Sequence, residues 1–142
     1  MPNKLDIKTG FEAMNLPLIH HYLSTDAYWC MGIPFETVAA AWRGSFCIGL
    51  FIEEEMVGFA RIITDYATFG YLADVYMLVE HRGKGYSKEM MSYIMELPWV
   101  QGLRRFMLAT LDAHALYRQF GFDRPAKPDR LMEITRPGMY LG

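Results

Sequence analysis

Val79-Glu80-His81-Arg82-Gly83-Lys84-Gly85-Tyr86-Ser87 is the stretch that decides the fold. Ahead of it, Gly70 to Val79 is apolar almost throughout, which reads as a central strand buried on both faces. Behind it, Tyr86, Met90, Met91, Ile94 and Leu97 recur on one helical face. They predict a helix from about Lys84 to Leu97, ended by Pro98. The quoted residues therefore form a strand-to-helix turn with two glycines and two basic side chains. Helix N-termini expose unpaired N–H groups and carry a partial positive charge. Glycines let backbone close on an anion, and Arg82 and Lys84 add charge. That combination makes a pyrophosphate cradle. The plainer alternative is a tight turn with solvated basic residues.

Two familiar phosphate motifs do not match. A P-loop needs glycine, four residues, then Gly-Lys and Ser or Thr, and no stretch supplies it. A dinucleotide fingerprint needs a third glycine where Lys88 stands, and more strand–helix repeats than this chain contains.

Working outward, Phe46 to Ile52 and Met56 to Thr64 are β runs joined by the polar turn Glu53-Glu54-Glu55, an antiparallel hairpin. Gly58 within the second run marks a bulge or a close backbone approach. Leu16 to Ser24 and Pro34 to Arg43 read as two helices, with Gly44 stopping the second. The loop between them is rich in large side chains, which either line a pocket or cap the core. Phe106 to Leu111 is a further strand, Ala113 to about Phe120 a short helix stopped by Gly121, and Leu131 to Thr135 a possible last strand. With a weak first strand the order is β-α-α-β-β-β-α-β-α-β, a mixed sheet flanked by helices, of the α/β (α+β) class. If both strands of the Gly70–Leu111 unit lie in one sheet, their connection is a right-handed parallel crossover.

The element order and the run Arg82-Gly83-Lys84-Gly85-Tyr86-Ser87 resemble the GNAT superfamily of acetyl-CoA-dependent N-acetyltransferases. The loop of that family begins with Arg or Gln, has glycine three residues on, and ends in Gly or Ala. Arg82 and Gly85 match; Ser87 replaces the small final residue, and Val79 stands where many members have proline. A second signature, Ala115-Leu116-Tyr117-Arg118-Gln119-Phe120-Gly121-Phe122, resembles the region near the end of the fold. The resemblance covers Phe46 to Phe122 well, and the N-terminal third only by helix count.

The resemblance implies an N-acetyltransferase acting on a primary amine of a small molecule or peptide by direct attack, with acetyl-CoA as co-substrate and no metal. The alternative is an acyl-CoA-binding regulatory domain without turnover. An acetyltransferase toxin acting on charged tRNA is disfavoured by the acidic balance. By family position, the backbone of Met77 and Leu78 pairs with pantetheine in a gap beside the central strand. Arg82, Gly83, Lys84, Gly85, Tyr86 and Ser87 hold the pyrophosphate. Tyr117 is placed as the general acid at the sulfur, since a phenol of pKa about 10 is protonated at neutral pH; otherwise it is a packing residue. Asp112 caps the last helix and can also contact pantetheine. His114 reads as a half-buried surface residue or a proton relay.

Asp74 lies inside the buried strand, where an ionised carboxylate is costly unless paired or facing a cleft. It reads as a general base or amine anchor, or as the partner of an arginine such as Arg61. Tyr28, Trp29 and Tyr71 are candidates for the acceptor pocket. His20, His21 and His81 have no ligand spacing.

The 142 residues form a single domain, 1–142, long enough to bury a core without disulfides. Lys plus Arg number 14 against 16 Asp plus Glu, for a net charge of −2, which argues against a dedicated nucleic-acid binder. Cys30 and Cys47 are too few for a disulfide scaffold and read as buried free thiols, consistent with a reducing, cytoplasmic setting. The start, Met1 to Asp6, lacks a signal-peptide core, and no apolar run is long enough to span a membrane. A homodimer is a possible assembly.

Overall fold

The computed structural model describes residues 4–142, so Met1, Pro2 and Asn3 of the signal-peptide reading lie outside the described residues. Five strands form one sheet in the order β1 (Asp6–Thr9), β2 (Phe46–Ile52), β3 (Glu55–Thr64), β4 (Phe69–Met77) and β5 (Arg105–Leu108). The first four run antiparallel; β5 joins β4 in parallel. The β2–β3 turn is tighter than the sequence implied. Ile52 pairs with Glu55, and Glu53 and Glu54 both take positive φ, 49° and 73°. Two left-handed residues match the twist of a two-residue hairpin loop.

Helices α1 (Leu16–Thr25) and α2 (Phe35–Arg43) cover one face of the sheet. Asn15 caps α1 by accepting from the Leu18 N–H, and Pro17 sits harmlessly in its first turn. Ile19, Leu23, Val38 and Trp42 from these helices pack on Cys47, Phe59 and Tyr76. The other face is covered by α3 (Tyr86–Glu96), α4 (Pro98–Gln101) and α5 (His114–Arg118). There Met90, Met91 and Ile94 meet Ile48, Leu50, Ile62 and Leu72. Each such fully buried side chain contributes about 1.5–3 kcal/mol. Both cysteines are free and buried.

Two irregularities open the sheet where a ligand can enter. β4 pairs with β5 only through Phe69–Leu72, so Ala73 to Met77 run on without a β5 partner. On the β3 side the register slips: Phe59 pairs with Tyr76 but Arg61 with Ala73. Two steps on β3 face three on β4, a bulge at Asp74–Val75. Asp74 carries the bend at φ 54°. Near Gly58 the β2–β3 register also shifts, and a Cβ on Gly58 would stand 2.9 Å from the Met77 sulfur. The bulge expected there is therefore present, and the atoms closest to Gly58 are side-chain atoms of Met77 and Leu50, not backbone.

Several expectations are corrected. Leu131–Thr135 is not a strand: it pairs with nothing in the sheet and is largely exposed. β4 stops at Met77 because Val79–His81 turns into a 3-10 helix, and it is not buried on both faces, since Phe69, Tyr71 and Ala73 to Val75 are half-buried. α3 begins at Tyr86, since Gly83 and Gly85 hold the preceding turn in left-handed backbone. Pro98 ends α3 and also opens α4, occupying a first-turn position where its missing N–H costs nothing. β5 is shorter than the sequence implied, running from Arg105 to Leu108.

Candidate active site

The turn after β4 is built as an anion cradle. Gly83 and Gly85 have φ of 76° and 82°, values that only glycine adopts without strain. A Cβ on either would meet nothing within 4 Å, so both face open space. Gly85 is the N-cap of α3 and offers no side chain to its first turn. Among the described residues, no backbone carbonyl accepts from the N–H groups of Gly83, Lys84, Gly85, Tyr86 or Ser87. Those donors converge at the positive end of an eleven-residue helix. They border a cavity of about 360 Å³ lined by Met77, Arg82, Gly83, Gly85, Tyr86 and Ser87.

His81, Lys88 and Leu116 also line this cavity, and the sequence reading missed all three. The Nδ1 atom of His81 is buried without a hydrogen-bond partner among the described residues, and its ring lies beside Tyr86. Lys88 follows Ser87 in the first turn of α3, a position the helical period could have supplied. Lys84, named from the sequence, does not line the cavity.

The backbone of β4 meets the cavity at one residue. Leu78 donates its N–H to the Val57 carbonyl, and its own carbonyl accepts from His81. Both groups are engaged inside the fold, which corrects the expectation that Leu78 offers them to a ligand. Strand alternation then turns the Met77 N–H and carbonyl away from β3, toward the gap beside β5. Arg82 reaches back over this point. Its Nε donates to the Met77 carbonyl at 2.8 Å, and its guanidinium lies 5.3 Å from the Tyr76 ring centroid. Tyr76 in turn donates its hydroxyl to Asp26 and stacks on Tyr22 and Phe59. Burial, then the bond to Asp26, pushes the Tyr76 phenol up to about 12.

Leu116 and Tyr117 are neighbours on α5 and line different cavities. Leu116 faces the cradle cavity, while Tyr117 faces a second cavity of about 460 Å³ with Phe106, Leu108 and Phe122. Tyr117 is buried, which raises its phenol above the ordinary value and keeps it protonated. Asp112 is exposed, caps nothing and lines none of the cavities described here. The N-cap of α5 is Ala113, and the Thr110 hydroxyl accepts from the Ala113 N–H instead. A one-residue offset explains the correction: Asp112 sits one place before the N-cap, too early to reach the free N–H groups. His114 is exposed, not half-buried.

On the opposite side of the sheet, the β4 bulge is locked. Asp74 Oδ2 accepts from Arg61 Nε at 2.6 Å, and Asp74 Oδ1 accepts from the Trp29 indole at 3.1 Å. Arg61 also donates to the Ser45 hydroxyl. The arginine pairing offered as the alternative reading of Asp74 is therefore present, and neither carboxylate oxygen is without a donor. Trp29 and Tyr28 border a third cavity, of about 300 Å³, closed by the C-terminal residues Arg136, Met139 and Tyr140. Tyr71 is not part of it; it pairs with Ile63 and Met107 in the sheet.

The comparisons with known proteins agree with this architecture. The family model described as acetyltransferase (GNAT) family matches residues 16–122. A candidate acetyltransferase of Gibberella zeae is 37% identical over 133 residues, covering 78% of this chain and 74% of its own. A crystal structure of a candidate GNAT acetyltransferase from Xanthomonas campestris pv. campestris superposes with a TM-score of 0.94. It is 48% identical and covers 99% of this chain and 98% of that one. A candidate acetyltransferase from Clostridium acetobutylicum, solved with acetyl-CoA, shares the fold at a TM-score of 0.68 and 14% identity, over 93% of this chain and 96% of that one. The chain belongs to the GNAT family and is an N-acetyltransferase.

Proposed function

We propose that the chain transfers an acetyl group from acetyl-CoA to a primary amine of a small molecule or peptide by direct attack. The observation that carries this reading is the pair of left-handed glycines opening α3 beside the unpaired edge of Met77. The donors fit a pyrophosphate, because they are backbone N–H groups at a helix N-terminus with Arg82 and Lys88 beside them. The co-substrate supplies the activated acetyl thioester.

The chain's own groups have distinct roles in this reading. Gly83, Gly85, Tyr86 and Ser87 hold phosphate oxygens with their N–H groups. The Met77 backbone pairs with an extended amide chain in the manner of an added strand. Arg82, which holds the Met77 carbonyl in this structure, turns its guanidinium to the pyrophosphate when that edge is occupied. Tyr117 holds a proton at its hydroxyl for the leaving sulfur. Asp74 positions Trp29 at the mouth of the acceptor cavity and does not take the amine proton, because Arg61 and Trp29 already occupy its two oxygens.

The test combines acetyl-CoA calorimetry with a panel of amines, following thiol release. Saturable acetyl-CoA binding with turnover of at least one amine is the expected result. Failure to bind acetyl-CoA would overturn the reading of the cradle.

A further inference from the structure

The cavity of about 300 Å³ beside Trp29 is made by two segments far apart in the chain, the loop after α1 and residues 134–141. Their contact is close. Gly32 stands at φ 80°, and a Cβ there would lie 2.7 Å from the Tyr140 carbonyl. Tyr140 packs on the α1–α2 core, which seats the C-terminal wall. Small-molecule sites run from about 300 to 1,000 Å³, and this cavity lies at the lower end. It admits a molecule of amino-acid size, not a length of polypeptide.

The charge of this cavity is opposite to what a bare amine asks for. Arg136 is the single charged side chain in its lining, and no Asp or Glu borders it. Neither ion pair among the described residues involves Arg136. Asp74, which accepts from the Trp29 indole, is already matched by Arg61 at 2.6 Å. The cavity is therefore net positive. That disfavours a di- or polyamine and favours an amine whose molecule also carries an anion. A planar guanidinium with no carboxylate of its own offers parallel N–H donors that match one carboxylate group. Aromatic rings flank it: those of Tyr28 and Trp29 meet edge to face at 5.1 Å, and Tyr140 joins them in the lining.

We infer that the acceptor is a free amino acid with an aromatic side chain, its carboxylate held by Arg136. The inference rests on the proposed acetyl transfer and narrows the primary amine to an α-amino group. Trp29 is the lining residue whose side chain bonds to β4, so the amine lies toward Trp29. The aromatic side chain lies against Tyr28 and Tyr140, where ring pairs attract beyond simple burial. The transfer forms the N–C bond of an N-acetyl amino acid and breaks the thioester C–S bond. The proton lost from nitrogen balances the one gained by the leaving thiolate. A peptide amino terminus does not meet the same demand, because its own carboxylate is consumed in the peptide bond.

The experiment compares phenylalanine with phenethylamine, which lacks only the carboxylate, on the wild-type chain and on Arg136→Gln. Arg136 is exposed, so the fold is retained, as circular dichroism would verify. Thiol release at saturating acetyl-CoA gives kcat/KM for each amine. The ratio of phenylalanine to phenethylamine is expected to fall about tenfold to a hundredfold in the variant, the weight of one charged hydrogen-bonded contact. The same two amines are compared in both proteins, so their own basicities cancel. Calorimetry of phenylalanine gives a readout that needs no turnover: binding to the wild type is expected, and weaker binding to the variant by the same factor. An unchanged ratio overturns the inference. So does a wild type that fails to bind phenylalanine, or one that uses O-phosphoethanolamine better. Failure to bind acetyl-CoA with Arg136-dependent phenylalanine binding intact would instead overturn the reading of the cradle alone.

Discussion

Asp74 Oδ2 and Arg61 Nε stand 2.6 Å apart across the bulge that bends β4, with side-chain exposures of 10% and 17%. The bulge places an acidic residue at φ 54°, a conformation that Asp and Asn tolerate better than most residues. The ion pair and the bend are therefore one device. The strand must bend here to leave β5, and the residue at the bend is anchored by a cation from the neighbouring strand.

Removing one partner of that pair is expected to cost far more than a surface pair would. Arg61→Ala leaves a carboxylate with little access to water, and losing one half of a buried pair costs about 3–5 kcal/mol. Urea unfolding of the variant checks this. A loss below about 1 kcal/mol, the range of exposed pairs, would mean that water already solvates Asp74.

The glycine turn separates a folding cost from a binding cost. Gly85→Ala forces a side chain into left-handed backbone, at about 1–2 kcal/mol of stability. Arg82→Ala involves no such strain, yet it removes a charged donor worth about 1.5–3 kcal/mol, or roughly tenfold or more in acetyl-CoA affinity. Calorimetry on Arg82→Ala giving wild-type affinity would remove Arg82 from the cradle.

Much of this arrangement is legible in the sequence, and what is not has physical reasons. The hairpin, the α3 face and the glycine turn show because period, turn residues and breakers coincide in Phe46–Thr64 and Gly83–Leu97. Asp74 could be narrowed to an active-site carboxylate or an arginine partner. The choice depended on a bulge whose register slip has no local signal, because it arises from the pairing of two strands. Lys88 and His81 were missed because helix phase and 3-10 geometry, not spacing to a motif, bring them to the cavity. Leu131–Thr135 has the pattern of a strand yet pairs with no strand among the described residues, and pattern alone does not supply an edge to pair with.

Tyr117→Phe keeps the ring in its core position and removes only the proton. Turnover is expected to fall by about 10²–10⁴, with acetyl-CoA affinity unchanged. Burial raises the Tyr117 pKa, so its proton is retained through neutral pH and its loss cannot explain a decline in rate there. Equal turnover of both proteins would make Tyr117 a packing residue.

Stability should decline on the alkaline side. Burial pushes the thiols of Cys30 and Cys47 from 9.0 up to about 11, with the Asp74 charge adding to the effect at Cys30. The unfolded chain ionises these thiols first. Their contribution is therefore whole below pH 9 and is lost as pH rises through 11. Tyr76 extends the decline, its window lying between 10 and 12. Urea midpoints across this range should fall for the wild type and fall less for Cys47→Ala. A midpoint independent of pH would show that both thiols are already open to solvent.

The indole of Trp29 ties the cavity lined by Tyr28 and Tyr140 to the bulge, and this link can be cut from either end. Trp29→Phe keeps an aromatic wall but leaves Asp74 Oδ1 without its donor; Asp74→Asn keeps the left-handed backbone and can still accept from the indole. If Asp74 only positions Trp29, Asp74→Asn should raise the acceptor KM moderately and leave the shape of the kcat pH profile intact. Trp29→Phe should raise KM more, because the ring is then free to leave the cavity that Tyr28 and Tyr140 share with it. Acetyl-CoA affinity should stay at wild type in both, since the cradle lies beyond β4. A general base would behave differently: Asp74→Asn would then lower kcat by about 10²–10⁴ and abolish the acidic limb of its pH profile. Steady-state kinetics across pH for the two variants decide between these outcomes. Loss of the acidic limb would return Asp74 to the chemistry of proton removal.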